Sequence, residues 1–489
     1  MRAPAKSRKR TRKPPAPSAS ARLNEQVTLQ AQPDGNLTAS FDGYTVGLGK
    51  FSIDALKRAQ GIGLGLPLAS FARPRKAVDR EIAVLVQRLA RTGLLEYRFG
   101  TSSKDFAIIE PQVAGYWPQT AKCAASDTIV LSRFAYLHRR GNDMVLESPR
   151  AAALLRISDP RIAGLLATLS SPQKISELRR QAGFPGLELI GLLLDCQMLF
   201  KVGKGHDGLR PSEGDEKLVV WDFHDLVFHT HSTEGRHANP IGGRYPYVDA
   251  IAPPPAVRAP WSGDAVDLQT FSEPAEPSSF VKLLRDRHST RDFDEAQPVT
   301  LAELARFLEI AARVQWKWTA PLDFGDGATG PDIDYTRRPY PSAGSAYELE
   351  LYLAVAACEG LARGFYHYDA DRHALVAINV AAQDLEAQLA SAQFAMDAPS
   401  APQILFTIAA RFDRVSWKYS GIAYSLILKD VGVLLQTFYL AATDMSLGGC
   451  AIGTGNIDLF AKMTGLEFHV EGPVGQFALG RGKKPEAPR

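Results

Sequence analysis

Over residues 419 to 447, apolar side chains recur around much of the circumference of what must be one long helix. A helix that is hydrophobic on nearly all sides has to be buried, either in a large core or between subunits. The elements around it fit that demand. Residues 301 to 314 repeat apolar positions at helical spacing, while 349 to 356, 403 to 411 and 474 to 480 read as β-like runs, so the C-terminal part is predicted to be an α+β domain over 278–489. Residues 242–277 precede it. They are rich in Pro, Ala and Gly, with Pro253-Pro254-Pro255 near the centre, and read as an extended linker.

The N-terminal half carries a degenerate repeat. Residues 83 to 98 read as an amphipathic helix stopped at Gly93 and followed by a short strand, and 187 to 202 repeat the scheme. Ahead of the second copy, residues 162 to 169, the turn Ser170-Ser171-Pro172 and a helix over 174 to 181 complete a winged-helix pattern. Two winged-helix-like modules are therefore expected, over 23–130 and 131–241. Such units often bind DNA. Here residues 187 to 198 are mostly apolar where base reading needs polar groups, and Arg179 and Arg180 are a thin phosphate footprint. No nucleic-acid partner is expected. A peptide-binding or structural role fits better, since an exposed wing strand can accept an extended peptide.

Within the second module, residues 134 to 138 and 144 to 147 suggest a hairpin turning at Gly141-Asn142. His224, His229, His231 and His237 lie close together, but their spacing matches no zinc motif. Strand alternation would put His224 and His229 on opposite faces, so a structural role is expected and no metal.

Three segments carry chemistry. Lys418-Tyr419 follows a β-like run and opens the apolar stretch, and burial or a neighbouring charge at such a junction can bring either group into the range of a general base. Arg285, Arg287, His288, Ser289, Thr290 and Arg291 concentrate guanidinium forks and hydroxyls that suit a phosphate monoester, although a solvated charged turn has the same composition. In Pro341-Ser342-Ala343-Gly344-Ser345, small residues would let the backbone approach a flat ring.

In order and spacing, Arg287-His288-Ser289-Thr290-Arg291, Pro341-Ser342-Ala343-Gly344 and the glycine-rich residues 447 to 455 resemble the FMN-binding elements of the nitroreductase superfamily. Lys418-Tyr419, with Ile422-Ala423-Tyr424 and Leu428-Lys429-Asp430-Val431-Gly432, is similar to the azoline dehydrogenases of thiazole/oxazole-modified peptide biosynthesis, the streptolysin-type B subunits. The likeness extends upstream to residues 221 to 229 and to Ser132-Arg133-Phe134. It implies an FMN-dependent homodimer that oxidises azoline rings in a precursor peptide, beside a cyclodehydratase, with the N-terminal modules positioning the leader. It also implies that Arg287, Ser289 and Arg291 hold the phosphate and ribityl chain, within the cluster that includes His288, with Arg481 as a further phosphate partner. Pro341, Ser342, Ala343 and Ser345 would line the isoalloxazine, amides of Gly453 and Thr454 would approach its reactive edge, and Lys418 or Tyr419 would be the base. Many nitroreductases have an acidic residue where this chain has Gly453, which makes generic nitro or quinone reduction less attractive. The alternatives are a small-electrophile FMN reductase and a non-catalytic peptide scaffold.

Composition is that of a globular protein, 489 residues with 45% hydrophobic and 22% charged. Residues 1–22 hold eight Lys/Arg and no acid out of a net charge of only +3, so a disordered basic tail is expected ahead of a mildly acidic remainder. There is no secretory h-region and no run of about 18 apolar residues, which favours the cytoplasm and no membrane. Cys123, Cys196, Cys358 and Cys450 are widely separated and read as reduced thiols, with Cys450 a small residue packed behind the glycines.

Overall fold

The computed structural model describes residues 17–41, 44–71, 76–101, 104–113, 115–203, 213–234, 243, 245, 247–260, 262–271, 276–323 and 329–483. His237 lies outside them, as do residues 1–16 of the expected tail. The described residues up to Val219 form one compact unit, and residues 220–234 with those from Gly243 onward form a second.

In the first unit a seven-stranded antiparallel sheet runs in the order Leu66–Pro67, Ser18–Leu23, Leu95–Thr101, Lys104–Pro111, Ala153–Ile157, Asp143–Glu147, Tyr136–Arg140. Two expectations change here. The tail cannot reach residue 22, because Ser18–Leu23 is a strand. Its fully buried side chains are Ala19 and Ala21, too small to give a bulky alternating pattern, with Leu23 packed against the core at the end of the strand. Nor are residues 23–130 and 131–241 separate modules, since Lys104–Pro111 pairs with Ala153–Ile157 across that boundary and residue 130 lies inside the strand Thr128–Leu131. The hairpin with its turn at Gly141-Asn142 is present.

A second sheet orders Gln173–Lys174, Thr128–Leu131 and Leu199–Lys201 beside the helices Pro160–Thr168, Ile175–Leu178 and Leu187–Asp195. Leu189, Ile190, Leu192 and Leu193 are buried. That accounts for the apolar composition of this helix without a base-reading role.

The second unit begins before the expected linker. Phe223–His231 is a helix capped by Asp222, which accepts from His224 N–H. The strand alternation expected there therefore does not apply. His229 is buried, its Nδ1 3.0 Å from the Tyr424 hydroxyl and its ring stacked on Trp221, whereas His224 is exposed. The described residues of 243–271 are exposed and belong to no sheet.

The core of this unit is a six-stranded antiparallel sheet in the order Ala374–Ile378, Gly364–Asp369, Leu349–Val355, Ile404–Arg411, Glu471–Gly480, Gly448–Ile452. Ile404–Arg411 is buried at every position but the last, as expected of a central strand that is apolar apart from Thr407, whose hydroxyl accepts from Gln388. Pro473 can lie in the neighbouring strand because the register shifts there, between Ile408 and Ala409. Leu301–Ala311 starts on a Thr300/Glu303 capping box.

The long helix is Ala423–Asp444. By length and composition it could cross a membrane, in contrast to the expectation that no such segment exists. Here it packs within the unit through Ile427, Val431, Leu434 and Phe438, the last against Phe307, Phe406 and Phe477. Gly432 and Val433 remain exposed, so it is not buried on all sides within one chain.

Candidate active site

Two groups of the expected site residues are each anchored to this helix. Asp430, buried near its start, accepts from Ala343 N–H at 2.8 Å and from Ser342 Oγ at 3.0 Å, fixing the turn Pro341-Ser342-Ala343-Gly344-Ser345. Gly344 has φ +56° and Ser345 φ +55°, left-handed conformations that cost a residue with a Cβ.

Lys418 and Tyr419 lie against this turn. A Cβ built on Gly344 would fall 2.5 Å from the Tyr419 hydroxyl and 2.6 Å from Lys418 Nζ, and Nζ donates to Gly344 O at 3.3 Å. Nζ also stands 5.5 Å from the Tyr419 ring centroid. Lys418 is exposed and Tyr419 half-buried, so the burial invoked to tune the pair is not provided by this chain alone. Beside them opens a cavity of 420 Å³ whose wall includes Leu322, Ile333, Tyr335 and Trp417, with Arg414 and Lys418 as its cations.

Farther along the helix, the Tyr439 hydroxyl is 2.8 Å from Ser289 Oγ and accepts from Ala451 N–H at 2.8 Å, while the Arg287 guanidinium lies 5.2 Å from the Tyr439 ring centroid. Thr290 N–H donates to Gly449 O at 2.8 Å. A Cβ on Gly448 would come within 2.6 Å of Thr290 Cγ2, so glycine is what lets the arginine segment lie so close to the strand Gly448–Ile452. Neither Arg287 nor Arg291 has a carboxylate partner among the described residues, which leaves their forks available to an anion. His288 is exposed, with Nδ1 2.9 Å from Asp286 O. Gly453 is exposed, with open space where a Cβ would stand, and Thr454 is half-buried.

Arg481 is placed differently. Its guanidinium donates to both oxygens of Glu303 at 2.8 Å, so a phosphate would have to compete with that carboxylate. Cys450 is buried and burial raises its thiol pKa, in keeping with a packing role.

Sequence reasoning missed Glu348. It is fully buried at the head of the strand Leu349–Val355, with Oε2 3.2 Å from Ser342 Oγ. Burial first, then the nearby Asp430 charge, push its pKa up to about 7. Nothing in the sequence pairs it with Asp430. The only hint is an acid opening a strand that is otherwise almost wholly buried.

Residues 129–238 match the family model described as cyanobactin oxidase ThcOx, and residues 284–481 match that of the nitroreductase family. A nitroreductase-like protein of Methanocaldococcus jannaschii, MJ1384, is 28% identical over 191 residues, 39% of this chain and 85% of its own length. Among solved structures, a nitroreductase-like protein of Ralstonia eutropha is 23% identical with a TM-score of 0.31, covering 44% of this chain and 88% of that one. A chain of the E. coli microcin synthetase McbBCD complex with truncated pro-MccB17 bound is 19% identical with a TM-score of 0.36, covering 55% and 97%. The C-terminal domain is thus a nitroreductase domain, and the chain is an oxidoreductase.

Proposed function

We propose that this chain is an FMN-dependent dehydrogenase of streptolysin type that converts thiazoline and oxazoline rings of a ribosomally made precursor peptide into thiazoles and oxazoles. The observation that carries the reading is the meeting of Lys418 and Tyr419 with the Gly344 turn beside an aromatic-walled cavity, in a chain that also matches the cyanobactin oxidase model. Trp417 and Tyr335 offer flat apolar surface to a ring, and Arg414 and Lys418 offer cations.

The residues present fit FMN. Arg287 and Arg291 carry charge without acidic partners among the described residues, Ser289 adds a hydroxyl, and Gly453 leaves room beside its backbone. Arg287, Ser289 and Arg291 would hold the phosphate and ribityl chain, with His288 in the same segment. Pro341, Ser342, Ala343 and Ser345 would line the ring, and the amides of Gly453 and Thr454 would meet its edge. When bound, FMN accepts the two electrons that aromatisation releases. Lys418 or Tyr419 removes the ring proton; Lys418 is bonded to the turn and the Tyr419 hydroxyl lies against it, so orientation comes from the chain itself.

Two further observations support a homodimer. Phe280 and Leu284 project from Ser279–Asp286, a helix with no buried residue, and Val433 is exposed on the long helix. The protein would act in the cytoplasm on a peptide already cyclised by a cyclodehydratase, with the winged-helix-like part of residues 128–201 positioning the leader.

Mass spectrometry of an azoline-bearing peptide incubated with FMN-loaded protein tests this reading. The expected result is loss of two hydrogens per ring, abolished in Lys418→Ala or Tyr419→Phe variants that still bind flavin. No mass change across varied azoline peptides, with reduction of small electrophiles intact, would replace the reading with a general flavin reductase.

A further inference from the structure

Beneath the turn, three side chains compete for too few protons. Ser342 Oγ stands 3.0 Å from Asp430 Oδ2 and 3.2 Å from Glu348 Oε2 and accepts from Tyr347 N–H at 2.9 Å. A hydroxyl has one hydrogen to donate and two lone pairs. It can serve one carboxylate, so the other contact is a hydrogen bond only if that carboxyl carries a proton and donates to Ser342.

The two acids are not equivalent. Asp430 already accepts from Ala343 N–H. Glu348 is fully buried, has no cationic partner among the described residues, and its Oε1 receives no donor there. An unpaired buried carboxylate is costly, and the neutral acid relieves that cost.

We propose that Glu348 is a positioning residue held as the neutral acid, donating to Ser342, which in turn donates to Asp430, and that this relay fixes the turn against Lys418 and Tyr419. The inference rests on the reading of that turn as the flavin-lining one only where flavin affinity is concerned. Protonation of the relay is a property of the chain alone.

The surroundings favour one retained proton. Asp430 faces Glu348 from the long helix, and Arg338 and Tyr340 lie before the turn, Arg338 donating to Leu349 O. Arg411 N–H donates to the Glu348 carbonyl, and Glu350 follows on the same strand. Arg414 is directed to Ala346 O and Lys418 to Gly344 O. Neither of these two cations is bonded to the Glu348 carboxyl. When Glu348 loses its proton, two carboxylates share one hydroxyl, and the turn loses its tie to Glu348 while keeping those to Asp430.

Infrared spectra of the flavin-free protein across pH 6 to 8 test protonation directly. The expected result is the carbonyl stretch of a buried carboxylic acid at the acid end, fading towards pH 8 and missing in Glu348→Gln. In parallel, FMN dissociation constants are measured by flavin fluorescence over the same range. For one group titrating near 7, affinity should weaken about ten-fold from pH 6 to pH 8 in the native chain. In Glu348→Gln, whose amide keeps a donor to Ser342, that component should vanish, leaving only the titration of the FMN phosphate common to both. A band that survives Glu348→Gln, or identical pH dependence in both proteins, overturns the proposal. If Glu348→Gln does not fold, absence of the band from the native protein at pH 6 does so. Neither readout uses azoline oxidation, so failure of the proposed activity would be seen separately.

Discussion

Replacing Gly344 by alanine should separate stability from catalysis. The residue has φ +56°, where a Cβ costs about 1–2 kcal/mol. The new methyl would meet the Tyr419 hydroxyl at 2.5 Å and Lys418 Nζ at 2.6 Å, and ordinary contact begins at 3.4 Å, so both tips must retreat by roughly 0.9 Å. They are the far ends of side chains with room to move, Lys418 being exposed, so their retreat adds little to the folding cost. At roughly 2–4 °C per kcal/mol for a domain of this size, the melting temperature should fall by about 2–8 °C. Catalysis is far more sensitive, because a misplacement of about 1 Å can cost on the order of 100-fold. The assay is single-turnover dehydrogenation of an azoline peptide, with bound flavin measured by absorbance and melting followed by circular dichroism. A variant that melts a few degrees lower, retains flavin and turns over at the native rate would show that the placement of Lys418 and Tyr419 against this turn is irrelevant to the chemistry.

Three further expectations follow from the same geometry. Glu348 is raised by burial from 4.5 to about 7, so between those values the folded chain holds a proton that the unfolded chain has lost. Stability therefore falls as pH rises through that window, by on the order of 3 kcal/mol, and levels off above it; urea unfolding at pH 5 and pH 8 should show the slope, and Glu348→Gln should remove it. Arg287→Ala should weaken FMN binding by about 10- to 100-fold through lost charge-assisted hydrogen bonds, whereas Arg481→Ala, which breaks the pair with Glu303, should change it little; equal losses in fluorescence titration would restore Arg481 to the phosphate site. Tyr439→Phe leaves Ala451 N–H and Ser289 without their shared partner, and should lower stability by about 1–3 kcal/mol in thermal unfolding and weaken FMN binding as well.

Local patterns made the second unit legible. The periodic run at 301 to 314 is the helix Leu301–Ala311, and the three β-like runs are strands of one sheet. Gly344 and Gly448 reveal themselves less directly, since a glycine announces permissiveness but not the neighbour it admits, here Tyr419 and Thr290. What failed was information held between distant residues. Ser18–Leu23 is a strand only because Leu95–Thr101 lies beside it, and with alanines as its buried positions it has no bulk to signal this. Ser342 and Asp430 are 88 positions apart, and nothing at either position specifies the meeting that makes Glu348 a buried acid. The pairing of Arg481 with Glu303, 178 residues away, is equally invisible at either position.

The long helix also bears on how the copies of the proposed dimer would share a site. Asp430 and Tyr439 are nine positions apart, about two and a half turns at 3.6 residues per turn, so they project from opposite sides of it. Asp430 holds the turn that meets Lys418, and Tyr439 holds the segment that carries Arg287. One chain would then present two half-sites facing apart, and in the proposed dimer each flavin would take its turn from one copy and its arginines from the other. Mixing Lys418→Ala with Arg287→Ala, using differently tagged chains to isolate the heterodimer, gives opposite outcomes for the two arrangements. With sites shared between copies, one site collects both lesions and the other is fully native, so at FMN concentrations that fill native sites but leave Arg287→Ala sites empty the heterodimer should oxidise azolines at about half the native rate, although each homodimer is inactive there. With sites built within single chains, both are damaged and no native site can form. A heterodimer as inactive as its parents would refute the shared arrangement.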